Sequence, residues 1–141
     1  MMPLNGYKSL CQEQQAIIVS SEQGRQHRAI NSDRCFVTHY QIDGAAIQTG
    51  LSCDYLLINK DKSDAYLVEL KGTDIEHAVD QLEFTAQILK LALQNYHIKY
   101  RLVHAKARTH ALMETKFKKF CQCHREPGEF LHRENMLAET I

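Results

Sequence analysis

The spacing of hydrophobic and polar residues changes along the chain, and these changes predict where strands and helices lie. Two short apolar runs, Cys53–Ile58 and Ala65–Leu70, flank the polar segment Asn59–Asp64. Runs rich in leucine, aromatic and β-branched residues on either side of a polar turn are typical of a β-hairpin. Because both faces of these runs are mostly apolar, the pattern predicts central strands that are covered on both sides.

The register of this hairpin decides which side chains meet. One register closes the hairpin with Ile58 opposite Ala65. Asp54 then falls directly opposite Glu69, and the Cβ atoms of opposed residues lie ~5 Å apart. Lys71 follows Glu69 by two positions and shares its face. Since opposed like charges destabilise a sheet, the two carboxylates indicate a bound cation, and Mg²⁺ is a hard ion that prefers oxygen ligands.

After the hairpin the apolar spacing becomes helical. Apolar residues recur every three or four positions over 75–93, which predicts an amphipathic helix of about five turns. Thr73 and Glu76 form a capping box at its start, and Gln81 lies on the flank of the apolar stripe. An alternating run over 98–105 predicts a strand, so the segment reads as a right-handed β-α-β crossover.

The N-terminal third is predicted to contain a helix and a second hairpin. A Ser-x-x-Gln capping box opens the predicted helix over Ser9–Gln23, and Gly24 suits its end. Asp43-Gly44 separates two β-prone runs, Cys35–Ile42 and Ala45–Gly50, which is typical of a hairpin with a type I′ turn. With the central hairpin, these runs predict a four-stranded antiparallel meander.

The C-terminal third is predicted to contain a second helix and a tail of open structure. Thr109 is a candidate cap for that helix, and Pro127-Gly128 breaks it. Its predicted inward-facing residues are Leu112, Met113, Phe117, Phe120 and Cys121. Residues 129–141 fit either a short edge strand or a loose tail. Together the elements predict one α/β domain over residues 1–141, with a mixed central sheet flanked by helices on both faces.

Charge is unevenly distributed in this chain of 141 residues, although the formal net charge at pH 7 is zero. Acids dominate between Asp54 and Glu83, and lysine and arginine dominate between Lys99 and Arg125. This division suits an enzyme that binds a metal and a polyanion, but a solvated face formed by chance explains the basic stretch equally well. Candidate phosphate contacts are Arg25, Arg28, Lys106, Arg108, Lys116 and Lys119.

Other classes of protein are disfavoured by composition. The sequence has no run of 18 apolar residues and no signal pattern, so we expect no membrane span and a cytoplasmic location. Five cysteines, an odd number, favour free thiols in a reducing compartment. Cys121, Cys123 and His124 resemble half of a zinc site with no second half. The absence of a glycine-rich phosphate loop argues against an NTPase.

The residues around the central hairpin resemble the PD-(D/E)xK nuclease superfamily. The matching residues are Asp54, the run Glu69-Leu70-Lys71 on the next strand, and Gln81 on the helix that follows. The proline of the family pattern is Cys53 here. The resemblance covers roughly residues 53–93, and it implies a restriction-endonuclease-like fold. A second E-x-K run at Glu114 lies in a predicted helix without an opposed acid, so we discount it.

The resemblance also implies roles for these residues in DNA hydrolysis. Asp54, Glu69 and the backbone carbonyl of Leu70 would hold Mg²⁺, for which Mn²⁺ could substitute. Lys71 would position or deprotonate the attacking water, and Gln81 is a recurring extra residue in some branches of the superfamily. A chain this short has no separate recognition module, which favours a homodimer or accessory action on DNA.

Several alternatives remain open at this stage. The acids and Lys71 could form a partly buried ion pair without a metal. Glu13 or Glu22 could reach the site as a third acid, although a surface position suits each better. The chain could also be a non-catalytic nuclease-fold binding module or accessory subunit, or an enzyme that uses the same metal site on a small molecule.

Overall fold

A five-stranded mixed sheet forms the centre of the protein. The computed structural model describes residues 7–42, 52–72, 74–106 and 114–141. The strands of this sheet, in spatial order, are β3 (Val37–Gln41), β4 (Tyr55–Asn59), β5 (Asp64–Lys71), β6 (His97–His104) and β7 (Phe130–Glu134). β3, β4 and β5 are antiparallel neighbours, whereas β5, β6 and β7 run parallel.

Two helices of the described residues pack on one face of this sheet. They are α1 (Ile75–Ile88) and α2 (Thr115–Cys123). Leu82 of α1 and Phe120 of α2 join Leu67 of β5 in one buried cluster. α1 connects the parallel strands β5 and β6, which confirms the predicted β-α-β unit.

The other face of the central sheet is covered by strands. A three-stranded sheet contains β1 (Ile17–Glu22), β2 (Arg25–Ile30) and β8 (Met136–Thr140), in the order β1-β2-β8. Its buried Ile18 and Leu137 pack with Val68 of β5. The predicted α/β fold class, a restriction-endonuclease-like sheet flanked by helices on both faces, is therefore wrong, because one of the two covering layers is a second sheet.

The predicted helix over Ser9–Gln23 is also wrong. β1 lies there, and its buried residues Ile18 and Ser20 alternate with exposed ones, the period of a strand. Gln23 and Gly24 both have positive φ, 46° and 82°, and they join β1 to β2 as a type I′ hairpin turn. The glycine that suits a helix end thus makes a two-residue turn instead.

The remaining predicted elements have mixed outcomes. β3 pairs directly with β4, so the predicted four-stranded meander is wrong at this point. The predicted turn at Asp43-Gly44 and the run over 45–50 lie outside the described residues. The strand over 98–105 is confirmed as β6, and α1 is confirmed but ends at Ile88. Asp74 caps α1, because its Oδ1 accepts a hydrogen bond from the backbone N–H of His77 (3.1 Å), and Thr73 of the predicted capping box lies outside the described residues.

The C-terminal third follows the prediction more closely. α2 is confirmed, with Phe117 and Phe120 buried and Cys121 half-buried. Thr109, Leu112 and Met113 lie outside the described residues, and the residue that caps α2 is Glu114. The tail is not loose: it forms β7 at the edge of the central sheet and β8 in the small sheet.

Candidate active site

The central hairpin has the predicted register. Ile58 pairs with Ala65, and the pairing continues to the start of β4. Asp54 directly precedes β4, so the same register sets it opposite Glu69. Residues two positions apart on a strand share a face, and Leu67 belongs to the cluster beneath α1. Both carboxylates therefore lie on the face of the sheet that the helices cover.

An ammonium group and a backbone amide lie beside these carboxylates. Glu69 is buried, with 1% of its surface exposed, and its Oε2 lies 3.7 Å from Nζ of Lys71. One carboxylate oxygen of Asp54 accepts a hydrogen bond from the backbone N–H of Leu70 (2.8 Å). This hydrogen bond holds the Asp54 side chain beside the peptide group that follows Glu69. The segment before β4 is thereby tied to the backbone of β5.

Helix α1 contacts the segment that leads into Asp54. Thr85 Oγ1 accepts a hydrogen bond from the N–H of Cys53 (2.7 Å) and donates one to the carbonyl of Gln81 (2.8 Å). Gln81 Nε2 donates to the carbonyl of Ser52 (3.3 Å). The other amide atom of Gln81, Oε1, is buried and has no hydrogen-bond partner in the part of the chain that the structure describes. The helix thus positions the start of β4 and brings a buried amide oxygen to this region.

The pKa of the Cys53 thiol is raised by its surroundings. Burial raises the pKa of this thiol, and the carboxylates of Glu69 and Asp54 raise it further. Two acids that act on one buried sulfur both lie close to it, in agreement with the register. The residue at the family's proline position is therefore a neutral, buried thiol.

The oxygen-bearing side chains of this region are of the type that a hard divalent cation prefers. Mg²⁺ is usually held by one or two carboxylates and completes its octahedron with water and substrate phosphate. Asp54 and Glu69 provide the carboxylates, and Gln81 provides a buried amide oxygen without a partner among the described residues. No three side chains of His, Cys, Asp or Glu come together within the described ranges. Neither Glu13 nor Glu22 therefore joins the pair as a third acid.

Two histidines beside the site were missed by sequence reasoning. Lys71 pairs with His104 between the parallel strands β5 and β6. Nε2 of His104 lies 3.1 Å from Nδ1 of His132 on β7. The histidines are 28 positions apart in the chain, and only the parallel register of three strands brings them together. This pair could have been identified from the sequence only by predicting that the C-terminal tail adds a parallel strand beside β6.

The basic residues predicted to contact phosphate lie on two sides of the molecule. Arg25 and Arg28 belong to β2 in the small sheet, on the face away from α1. The other candidates are Lys106, Lys116 and Lys119, which are exposed, and Arg108, which lies outside the described residues. The lysines follow β6 or lie on α2, which packs on the same face of the central sheet as the acidic pair.

The motif that resembles half of a zinc site does not gather ligands in the described ranges. Cys123 is exposed, and burial raises the pKa of the Cys121 thiol. His124 Nδ1 lies 2.7 Å from Oε2 of Glu129. His124 is therefore within hydrogen-bond distance of a carboxylate in the segment that follows α2.

Neither described helix has the length and apolar run that a membrane crossing requires. Comparisons with protein-family models, curated proteins and solved structures found no match. The resemblance to the PD-(D/E)xK superfamily therefore depends on the residues of this chain and on the geometry that joins Asp54, Glu69 and Lys71.

Proposed function

We propose that this chain is a Mg²⁺-dependent nuclease that uses the PD-(D/E)xK arrangement of residues to hydrolyse phosphodiester bonds in DNA. The register of β4 and β5 carries the proposal, because it sets Asp54 opposite Glu69 on one face. Lys71 lies on the same face with its ammonium group 3.7 Å from Glu69. Two opposed carboxylates with an adjacent amine combine the ligands for a metal and a group that handles a proton.

Each residue of the site has a distinct role in this proposal. Asp54 and Glu69, with the carbonyl of Leu70, hold Mg²⁺, and Mn²⁺ can substitute for it. The bound ion supplies charge neutralisation at the phosphate and acidifies a water molecule. Lys71 holds the attacking water in line with the phosphorus or takes its proton. The Leu70 N–H orients Asp54, and Gln81 holds the chain just before it through the carbonyl of Ser52.

The proposal extends to partner and compartment. The chain acts on DNA alone or as a homodimer that cuts both strands. All five cysteines are free thiols, which supports a reducing compartment such as the cytoplasm.

Cleavage assays test the proposed function directly. Single-stranded, duplex and branched DNA are incubated with the protein in Mg²⁺, in Mn²⁺ and with a chelator. We expect cleavage of at least one DNA form with metal, none with chelator, and none by Asp54→Asn. Asp61→Asn is the matched control, because Asp61 lies in the turn at the other end of the same hairpin and Asn keeps its acceptor for the Phe36 N–H.

Two results would contradict the nuclease proposal. DNA binding without cleavage in any metal would indicate the alternative, an accessory binding module that keeps the acidic pair. Metal binding without affinity for any DNA would indicate an enzyme that acts on a small molecule.

A further inference from the structure

The parallel strands β5, β6 and β7 have their carboxyl ends side by side. Glu69 pairs with Leu102, and Leu102 pairs with His132, so these residues lie at one level across three parallel strands. Neighbouring strands are about 4.8 Å apart, so the Cα atoms of Glu69 and His132 lie roughly 10 Å apart. Side chains at these two positions can therefore contact neighbouring phosphates of one DNA strand.

A chain of hydrogen bonds fixes how His132 is oriented. The carbonyl of Ala105 only accepts, so Nδ1 of His104 donates to it (2.8 Å). Neutral His104 then has its lone pair at Nε2, which lies 3.1 Å from Nδ1 of His132. His132 must therefore donate from Nδ1, and its Nε2 is the outer end of the chain.

Ring contacts hold His132 in this orientation. Phe117 of α2 meets its ring edge-on, with 5.2 Å between centroids, and Phe130 and His104 lie 5.8 and 5.4 Å away. Nε2 of His132 makes no hydrogen bond with any described residue, and it is not one of the buried polar atoms without a partner. The ring of His132 is therefore fixed by its neighbours, and its Nε2 faces solvent near the carboxyl ends of the parallel strands.

The same arrangement accommodates an anion. A protonated His132 donates from both nitrogens, so Nε2–H can bind a phosphate oxygen while Nδ1–H keeps its bond to His104. Burial lowers the pKa of His132, and a positive charge on a neighbour such as Arg133 lowers it further. A phosphate at Nε2 opposes this effect and favours uptake of a proton. The other charged group on this face of β7 is Glu134, and α2 presents Phe117 to the ring.

We propose that His132, oriented by His104, binds a backbone phosphate next to the bond that is cut at Asp54 and Glu69. This inference rests on the proposed function, since it adds a second contact with the same DNA strand. It makes His132 a binding residue and His104 a positioning residue. The three parallel strands thus provide a track for the DNA backbone along their carboxyl ends.

Binding measured without cleavage tests this assignment. The full chain is titrated into a fluorescent oligonucleotide with Ca²⁺ in place of Mg²⁺, over a range of salt concentrations, and a gel checks that the DNA stays intact. His132→Phe keeps the aromatic packing and removes Nε2. We expect its Kd to rise about tenfold and the salt slope to fall by about 1. His132→Gln, which keeps a donor, should recover part of the affinity.

His97→Phe is the matched control, because His97 lies at the opposite end of β6 and its side chain is 86% exposed. Its Kd and salt slope should equal those of the unaltered protein. Equal values for His132→Phe would overturn the inference, and the proposed function would stand if the unaltered protein still cuts DNA. Weakened binding by His132→Phe in a protein that never cuts DNA would keep the phosphate contact and reject the nuclease.

A second measurement needs no substitution. The ¹⁵N resonance of His132 Nε2 is followed in the unaltered protein as oligonucleotide is added. We expect it to move from the position of an unprotonated towards that of a protonated nitrogen. A resonance that does not move at saturation would overturn the inference.

Discussion

The two faces of the central sheet both bury charged side chains, but they balance them differently. On the face that packs against the small sheet, Arg101 is 2% exposed and donates to Oε2 of Glu139 (2.7 Å). The same oxygen lies 2.7 Å from Nε2 of His27. Arg101 also donates to the carbonyls of Tyr100, Gly128 and Glu129. One carboxylate is here shared by two nitrogen groups at hydrogen-bond distance.

On the helix face the balance is reversed. Among the residues that the structure describes, Asp54 and Glu69 lie near the amine of Lys71, whose Nζ is 3.7 Å from Oε2 of Glu69. Short, numerous bonds on one face are typical of a structural network, whereas two carboxylates opposed across strands are typical of a site that binds a cation. The comparison separates the charges that hold the two sheets together from the charges of the proposed metal site.

The largest expected effect comes from breaking the structural network. Arg101→Met removes a buried guanidinium that bonds the half-buried Glu139 carboxylate and three backbone carbonyls, so we expect the free energy of unfolding to fall by about 3–5 kcal/mol in urea titrations. Arg133→Met is the control, because Arg133 is exposed on β7 and should change stability little. A loss below about 1 kcal/mol for Arg101→Met would show that the network is not structural.

The next effect concerns pH on the same face. Burial, and then the charge of His27, lower the pKa of His39 to about 4 from an ordinary 6.5. The folded state resists a proton that the unfolded chain accepts, so stability is lost as the pH falls from 6.5 towards 4. His39→Gln, which can still bond to Ser20, should lose about 3 kcal/mol less over this interval. His97→Gln should follow the unaltered protein, and a slope that His39→Gln leaves unchanged would refute the assignment.

On the helix face, metal should raise the stability of the intact protein. Mg²⁺ or Mn²⁺ at about one hundred times its Kd adds about 2.7 kcal/mol, because it binds only the folded state. Calorimetry should show a raised Tm for the unaltered protein and for Asp61→Asn, and no shift for Asp54→Ala. A shift that survives in Asp54→Ala would move the metal site elsewhere.

The smallest effect is expected without metal. Asp54→Asn removes one of two opposed carboxylates, and its amide oxygen can still accept from Leu70. Relief of repulsion should raise the free energy of unfolding by up to about 1 kcal/mol in chelator. A clear loss of stability instead would indicate that the Asp54 charge is structural, as the charge on Glu139 is.

The central hairpin could be predicted because its information is local. Two apolar runs and a turn of fixed length leave one register, and a strand period of two then decides which residues meet. Once Ile58 is paired with Ala65, the apposition of Asp54 with Glu69 follows from that period. Helix α1 was predictable for the same reason, since its stripe spans several turns.

The small sheet could not be predicted because its interior is partly polar. Ser20 and His39 are buried and hydrogen-bonded to each other across the two sheets (2.9 Å). Ile17 and Val19, in contrast, lie exposed on the outer face. In β1 a buried position is polar and two exposed positions are apolar. The alternation of apolar and polar residues that marks a strand is therefore not visible in its sequence. The contact between His104 and His132 could not be predicted either, because it depends on the order of the strands in the sheet and not on the local sequence pattern.

The parallel pairing of β2 with β8 has a consequence for how the protein folds. Gln26 and Met136 are neighbours in the sheet, yet they lie 110 positions apart in the chain. Contacts between such distant positions require a costly loop closure and slow the search for the native state. Until that closure is complete, the small sheet lacks its third strand and the apolar surface around Val68 is incompletely covered. Apolar surface and an unpaired strand that are exposed during this interval favour aggregation.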